Sequence, residues 1–252
     1  MDRSFAEILL PKLSSWAADH HIAGADLARV YEMIDRYKSD SNQYRHEAQR
    51  PRVYMPDLAS APWYDPSAFS WYNHILANGQ TIIDEYRNLR KQVELQEHPY
   101  GEAAVVGSWR MIPLFGYSGA HRENISIMPK TKEIISEIVT EEDRMLVYLS
   151  SLAPHTKIRP HCGPTNVHLR CHFGLSVPEK CWIKVGEESR AWQEGNCLVF
   201  DDSFLHEVEN GSESIRDILI LDFWHPDITP AERAGLRFIL SVLSAAGVID
   251  AR

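Results

Sequence analysis

Apolar residues recur at helical spacing up to Leu89, and after Tyr100 the pattern shortens to alternating runs. Phe5, Ile8, Leu9, Leu13, Trp16 and Ala17 form one stripe over residues 4–20, and Leu27, Val30, Tyr31 and Ile34 form a second after Gly24. Positions three and four apart share a helix face, so both stripes predict amphipathic helices. Residues 38–52 are polar and basic and predict a linker or surface segment. Structure resumes at Trp63–Pro66. The stretch 70–97 reads mostly as helix, with Trp71, Ile75, Ile82, Ile83, Tyr86 and Leu89 on its apolar face. Beyond Tyr100, aromatic and β-branched runs bounded by Gly, Pro and Asp predict strands at 105–115, 144–151, 166–173, 181–185, 196–200, 206–209 and 215–223. A last helix is predicted over 229–246, with Thr229 as N-cap and Pro230 at the first helical position.

Many short strands without long helices between them predict an antiparallel double sheet or barrel of the jelly-roll kind. The expected fold class is therefore α+β with a mainly-β core. A helical N-terminal extension occupies residues 1–50, and the β domain occupies 51–252 with a C-terminal helix. With 26 basic and 35 acidic residues the net charge is −9. That balance lacks the basic surplus that neutralising phosphates requires, so no nucleic-acid partner is expected. No apolar run approaches the roughly 18 residues of a membrane span. The start, MDRSFAEILLPKL, does not read as a signal peptide. Cys162, Cys171, Cys181 and Cys197 form no CxxC pair, which argues against a disulfide scaffold or thiolate zinc site. A reduced, cytoplasmic protein without a membrane partner is expected.

The run Val167–Phe173 alternates strictly: His168, Arg170 and His172 share one face, and Val167, Leu169, Cys171 and Phe173 the other. A polar strand face is usually a solvated one. Arginine beside histidine, however, suits an anionic carboxylate ligand. His161 precedes a Gly-Pro turn, His206 follows an acidic loop, and Arg216 opens the next apolar strand. Two histidines followed by an arginine is the ligand order of non-haem iron oxygenases that use 2-oxoglutarate. The carboxylate of the usual facial triad stands two residues after the first histidine, and here that position is Gly163.

The runs HCGPTNVHLRCHFGL, EGNCLVFDDSFLHEVEN and ILILDFWHPDITPAER, with PWYDP and FSW upstream, resemble the aspartyl/asparaginyl β-hydroxylase family over roughly residues 53–240. The resemblance implies a double-stranded β-helix (jelly roll, cupin-like) that holds Fe(II) with only two histidines, a glycine standing at the carboxylate position. It implies that His161 and His206 ligate Fe(II). Arg216 with Ser150 would bind the distal carboxylate of 2-oxoglutarate, and Arg170 with His172 the carboxylate beside the keto group. Asp202 would hydrogen-bond a water on the metal. On this reading Asp201 is a turn residue, Trp192 and Trp224 are core, and Gly163→Asp would leave metal binding intact or tighter.

The implied reaction hydroxylates an unactivated C–H bond, at the β-carbon by analogy, with O₂ as oxidant and succinate and CO₂ as coproducts. Family members that act on aspartyl residues hold the substrate carboxylate with basic side chains. Those positions align with Ala104, Tyr148 and His168. The expected substrate is therefore an amino acid, carrier-bound amino acid or peptidyl residue without an acidic side chain, contacted by Tyr148 and His168. Three alternatives stay open: an iron/2-oxoglutarate halogenase using the space at Gly163, a non-catalytic jelly-roll binding module, and a zinc-dependent cupin enzyme.

Overall fold

The computed structural model describes residues 4–116 and 122–246. In chain order its elements begin with α1 (Ser4–Asp19), α2 (Ala28–Ser39), β1 (Trp63–Tyr64), α3 (Tyr72–Ala77) and α4 (Gly79–Leu89). Then come β2 (Gln96–Glu97), β3 (Ala104–Val106), β4 (Trp109–Phe115), α5 (Arg122–Ser126), α6 (Pro129–Ile135), β5 (Val147–Leu152) and β6 (Thr156–His161). The chain continues through β7 (His168–Ser176), β8 (Cys181–Val185), β9 (Glu188–Ala191), β10 (Cys197–Phe200), β11 (His206–Asn210), β12 (Arg216–Trp224) and α7 (Pro230–Ala245).

The strands form two antiparallel sheets. The larger runs β1-β10-β7-β12-β5-β4-β2 and the smaller β3-β6-β11-β8-β9. Consecutive strands from β5 to β12 thus cross repeatedly between sheets, which is the winding of a double-stranded β-helix. The fold is α+β with this jelly roll at its centre.

Period-two alternation divides the hydrophobic residues into two cores on opposite faces of the large sheet. Its outer face presents Leu149, Leu169, Cys171, Phe173, Leu219 and Leu221 to the helices, and Leu9, Leu13, Leu27, Ile75 and Ile82 pack in the same cluster. Its inner face presents Trp109, Tyr148, Phe200, Ile218 and Ile220 toward Ile158, Ile183 and Val208 of the small sheet. The polar face of β7 therefore points between the sheets and not to solvent. His168 and His172 are 3% and 5% exposed.

Several expectations shift for local reasons. The single strand expected at 105–115 is two, β3 and β4, in different sheets. Gly107 makes the break at φ +83°, and a Cβ there would lie 2.1 Å from Thr156 Oγ1. The helix expected over 70–97 divides at Asn78 and ends at Leu89. Strand β6 had no signal because only Thr156 and Ile158 of TKIRPH are buried, and β9 buries none of its residues. The Thr229 cap is a full capping box with Glu232, which also takes a bidentate pair from Arg29 of α2 at 2.7 and 2.6 Å. The side chain of Phe5 lies outside the described residues.

The segment expected as a linker is braced against the β core. Leu205 N–H donates to Ala48 O at 2.7 Å, Arg50 N–H to Ser203 O at 3.1 Å and Val53 N–H to Pro164 O at 2.9 Å. Gln49, 1% exposed, donates to Asp201 Oδ2 and Ser203 Oγ. Asn166 exchanges two hydrogen bonds with the backbone of Met55.

Candidate active site

His161 ends β6 and His206 opens β11, and the two are direct cross-strand partners. The register of this pair shifts between His206 and Val208, a bulge that breaks the regular ladder beside the site. The imidazole centroids lie 4.1 Å apart. Each ring is oriented alike: His161 Nδ1 is 2.9 Å from Arg159 O and His206 Nδ1 is 2.9 Å from Phe204 O. A carbonyl at Nδ1 requires the proton there, so each ring presents its Nε2 lone pair, the arrangement of metal-ligating histidines. Burial keeps both neutral, pushing His161 below its ordinary value and His206 down to about 3. Among the described residues no group of three or more His, Cys, Asp or Glu side chains is placed to hold a metal ion. Two imidazoles are what the chain offers.

The space left by Gly163 is filled. A Cβ on Gly163 would lie 2.4 Å from the Asp202 carboxyl carbon, and the two residues are tied by Gly163 N–H to Asp202 O at 2.6 Å. An aspartate at position 163 would start from a Cβ pressed against the Asp202 carboxyl, so one of the two side chains would have to move. Burial alone would raise the Asp202 carboxyl, but Arg170 and His168 overcome it and hold it well below the usual range. It is a buried anion whose partners are the cationic groups around it.

Arg170 pairs with Asp202 through Nη1 at 2.9 Å and forks onto Asp222 through Nε at 2.7 Å and Nη2 at 2.9 Å. His168 Nε2 lies 3.5 Å from Asp202 and 3.8 Å from Asp222. Burial opposes its charge, yet the two carboxylates raise its pKa. Expected at the substrate, His168 instead belongs to this ion network and does not line the cavity between the sheets.

That cavity is lined by His161, His206, Arg170, His172, Arg216, Ser150, Tyr148, Trp109 and Trp192, among others. His172 Nδ1 accepts from Trp192 Nε1 at 3.2 Å, which leaves the proton on Nε2, a buried donor without a partner. The Arg216 guanidinium stacks 4.9 Å from the centre of the Trp192 ring. It is 2% exposed, its Nε and Nη1 have no acceptor, and burial lowers its pKa to about 10. A buried guanidinium without a carboxylate is costly unless an anion joins it. Ser150 Oγ accepts from Trp109 Nε1 at 3.0 Å. Burial raises Tyr148 to about 12, so its hydroxyl stays neutral.

Sequence reasoning missed Asp222, His98 and the cavity role of Trp192, which was expected to be core only. Asp222 is in phase with Arg216 along β12, and that alternation was the available signal. His98 stacks on Trp109 at 3.5 Å and 8° with Nδ1 accepting from Tyr100 N–H. No sequence pattern marks it. Asp201 is a turn residue as expected, accepting from Ser203 N–H, and Trp224 is buried with Nε1 on Asp143. Ala104 pairs with Ile158, and its side chain lies outside the described residues.

The double-stranded β-helix thus encloses a cavity that brings together two histidines and a buried arginine without a carboxylate beside it. A profile of the family described as Aspartyl/Asparaginyl beta-hydroxylase matches residues 76–226. The chain belongs to that family. Aspartate beta-hydroxylase domain-containing protein 2 of Homo sapiens is 34% identical over 208 residues, 78% of this chain and 56% of that protein. Aspartyl/asparaginyl beta-hydroxylase of Homo sapiens is 32% identical over 195 residues, 75% of this chain and 26% of that protein. The chain thus corresponds to about half of the first relative and a quarter of the second. Among solved structures, a prolyl hydroxylase from Trichoplax adhaerens aligns with a TM-score of 0.41 at 12% identity, over 63% of this chain and 81% of that one. No helix among the described residues is long and apolar enough to cross a membrane.

Two outcomes are expected. Gly163→Asp forces atoms into Asp202 and lowers stability by about 1–3 kcal/mol. Asp202→Gly in the same chain restores part of the loss, measured by urea unfolding. His98, held neutral by burial with a pKa near 3, binds a proton more readily in the unfolded chain, whose histidines titrate near 6.5. Stability is therefore full above about pH 6.5 and declines as pH falls toward about 3. His98→Phe, which keeps the stack, should flatten part of that decline.

Proposed function

We propose that this protein is an Fe(II)- and 2-oxoglutarate-dependent hydroxylase, with residues 51–252 as the catalytic unit and 1–50 as a helical extension. The observation that carries the reading is the pairing of two neutral histidines, both with free Nε2, and a buried Arg216 with no carboxylate of its own. In this reading His161 and His206 hold Fe(II). Arg216 and Ser150 receive the distal carboxylate of 2-oxoglutarate, and His172 and Arg170 the carboxylate beside the keto group. Bound there, iron and 2-oxoglutarate supply oxidative activation of O₂, coupled to loss of CO₂ and formation of succinate, for hydroxylation of a C–H bond.

The chain's own residues do the rest. Trp192 holds both His172 and Arg216 in place, one by a hydrogen bond and one by stacking. Phe200, Ile183 and Ile218 keep the cavity apolar and exclude water. Asp202, paired with Arg170, brings a carboxylate next to Gly163.

The halogenase alternative needs a halide where the facial-triad carboxylate is missing. Here the Cβ position of Gly163 abuts the ionised Asp202, and a negative charge beside the site argues against a halide there. The substrate is proposed to be an amino acid or amino-acid residue with a neutral or cationic side chain. Tyr148 supplies a neutral hydroxyl, and the charge of His168 is already matched by Asp202 and Asp222.

The test is succinate release from 2-oxoglutarate with Fe(II), screened over free, amidated and peptidyl amino acids, with product masses recorded with and without chloride. A product 16 mass units heavier supports hydroxylation. A chlorinated product, or a clear preference for aspartyl substrates, would overturn the corresponding part. Arg216→Met gives a second check. Without 2-oxoglutarate the variant is expected to be as stable as the parent or up to about 4 kcal/mol more stable, because it removes an unmatched buried charge. Affinity for 2-oxoglutarate falls by roughly a hundredfold or more, on the 3–5 kcal/mol cost of truncating a buried pair.

A further inference from the structure

Arg170 and Arg216 both line the cavity, but their surroundings are opposite. Arg216 lacks an anionic partner, whereas Arg170 is held on two sides. The fork onto Asp222 uses the Nε and Nη2 edge of the guanidinium, and the bond to Asp202 leaves from Nη1. Two N–H groups in a rigid plane bound to two oxygens fix the plane's rotation, which a single contact does not. Asp222 is 1% exposed, stands opposite Arg170 in the β12–β7 register and does not itself line the cavity. Its carboxylate is also 3.8 Å from His168 Nε2.

We propose that Asp222 is a positioning residue: it locks the guanidinium plane of Arg170 so that the remaining N–H bonds face the cavity where a carboxylate of the cosubstrate is received. This rests on the 2-oxoglutarate reading above. Asp222 acts only through Arg170. Removing it leaves His161 and His206 untouched and lets the guanidinium turn onto Asp202 alone. A stability role by itself would lower the melting temperature and leave cosubstrate affinity in the folded protein unchanged.

The experiment measures 2-oxoglutarate binding by calorimetry to Mn(II)-loaded protein, together with Mn(II) binding, so that turnover is not the readout. Asp222→Asn is expected to keep Mn(II) affinity within about twofold and to raise the apparent Kd for 2-oxoglutarate at least tenfold, each 1.4 kcal/mol being tenfold. In an Arg170→Gln background the same substitution should have no further effect, since residues acting as one unit are not additive. Asp222→Glu, which keeps the charge but displaces the fork, is the second variant if Asp222→Asn does not fold, with the same expected loss. An unchanged Kd in these variants overturns the inference and leaves the functional reading intact. An equal loss in the Arg170→Gln background also overturns it, because Asp222 would then act without Arg170. Parent protein that binds Mn(II) but not 2-oxoglutarate overturns both.

Discussion

Charge buried between two sheets is the constraint on which this molecule is organised. Strand β7 turns Arg170 inward, and an inward guanidinium is stable only when counter-charges meet it. Asp202 arrives from the turn after β10 and Asp222 from β12, so three separate parts of the chain are committed to one cation. Arg216 obeys the same rule in the opposite sense. It has an aromatic ring beside it, and its Nε and Nη1 meet no carboxylate among the described residues. One arginine is held by two carboxylates and keeps part of its guanidinium toward the cavity; the other has no carboxylate beside it. The polarity of the pocket follows from that difference.

The parts of the fold legible in the sequence are those whose burial is periodic. Leu9 and Leu13 in α1, Leu169–Phe173 in β7 and the inward Arg216, Ile218 and Ile220 of β12 repeat at the spacing of their element. The Thr229–Glu232 capping box is local and needs no tertiary knowledge. Strand β9 was illegible because it buries no side chain, and β6 because only Thr156 and Ile158 carry its alternation before Arg159 and Pro160 break it. The division of 105–115 depends on Thr156 pressing against Gly107, a contact between distant segments. The candidate ligands came from motif resemblance, and their geometry from backbone carbonyls that no sequence displays. What fills the space at Gly163 was hidden for the same reason. A glycine states that room exists, not which neighbour uses it.

The brace formed by residues 48–55 has a consequence for the order in which the molecule assembles. Gln49 meets Asp201 from 152 residues away, and Met55 meets Asn166 from 111 residues away. During synthesis this segment emerges first and waits unpaired until both histidine loops exist. Contacts of such separation close late, after the local helices and hairpins have formed. The turn before His206 and the loop after His161 each share backbone hydrogen bonds with this segment, through Ser203 and Leu205 on one side and Pro164 on the other. The cross-strand pairing of His161 with His206 is therefore sealed by a segment that lies far upstream in the chain, and local opening of that segment is felt first at the loops beside the two histidines.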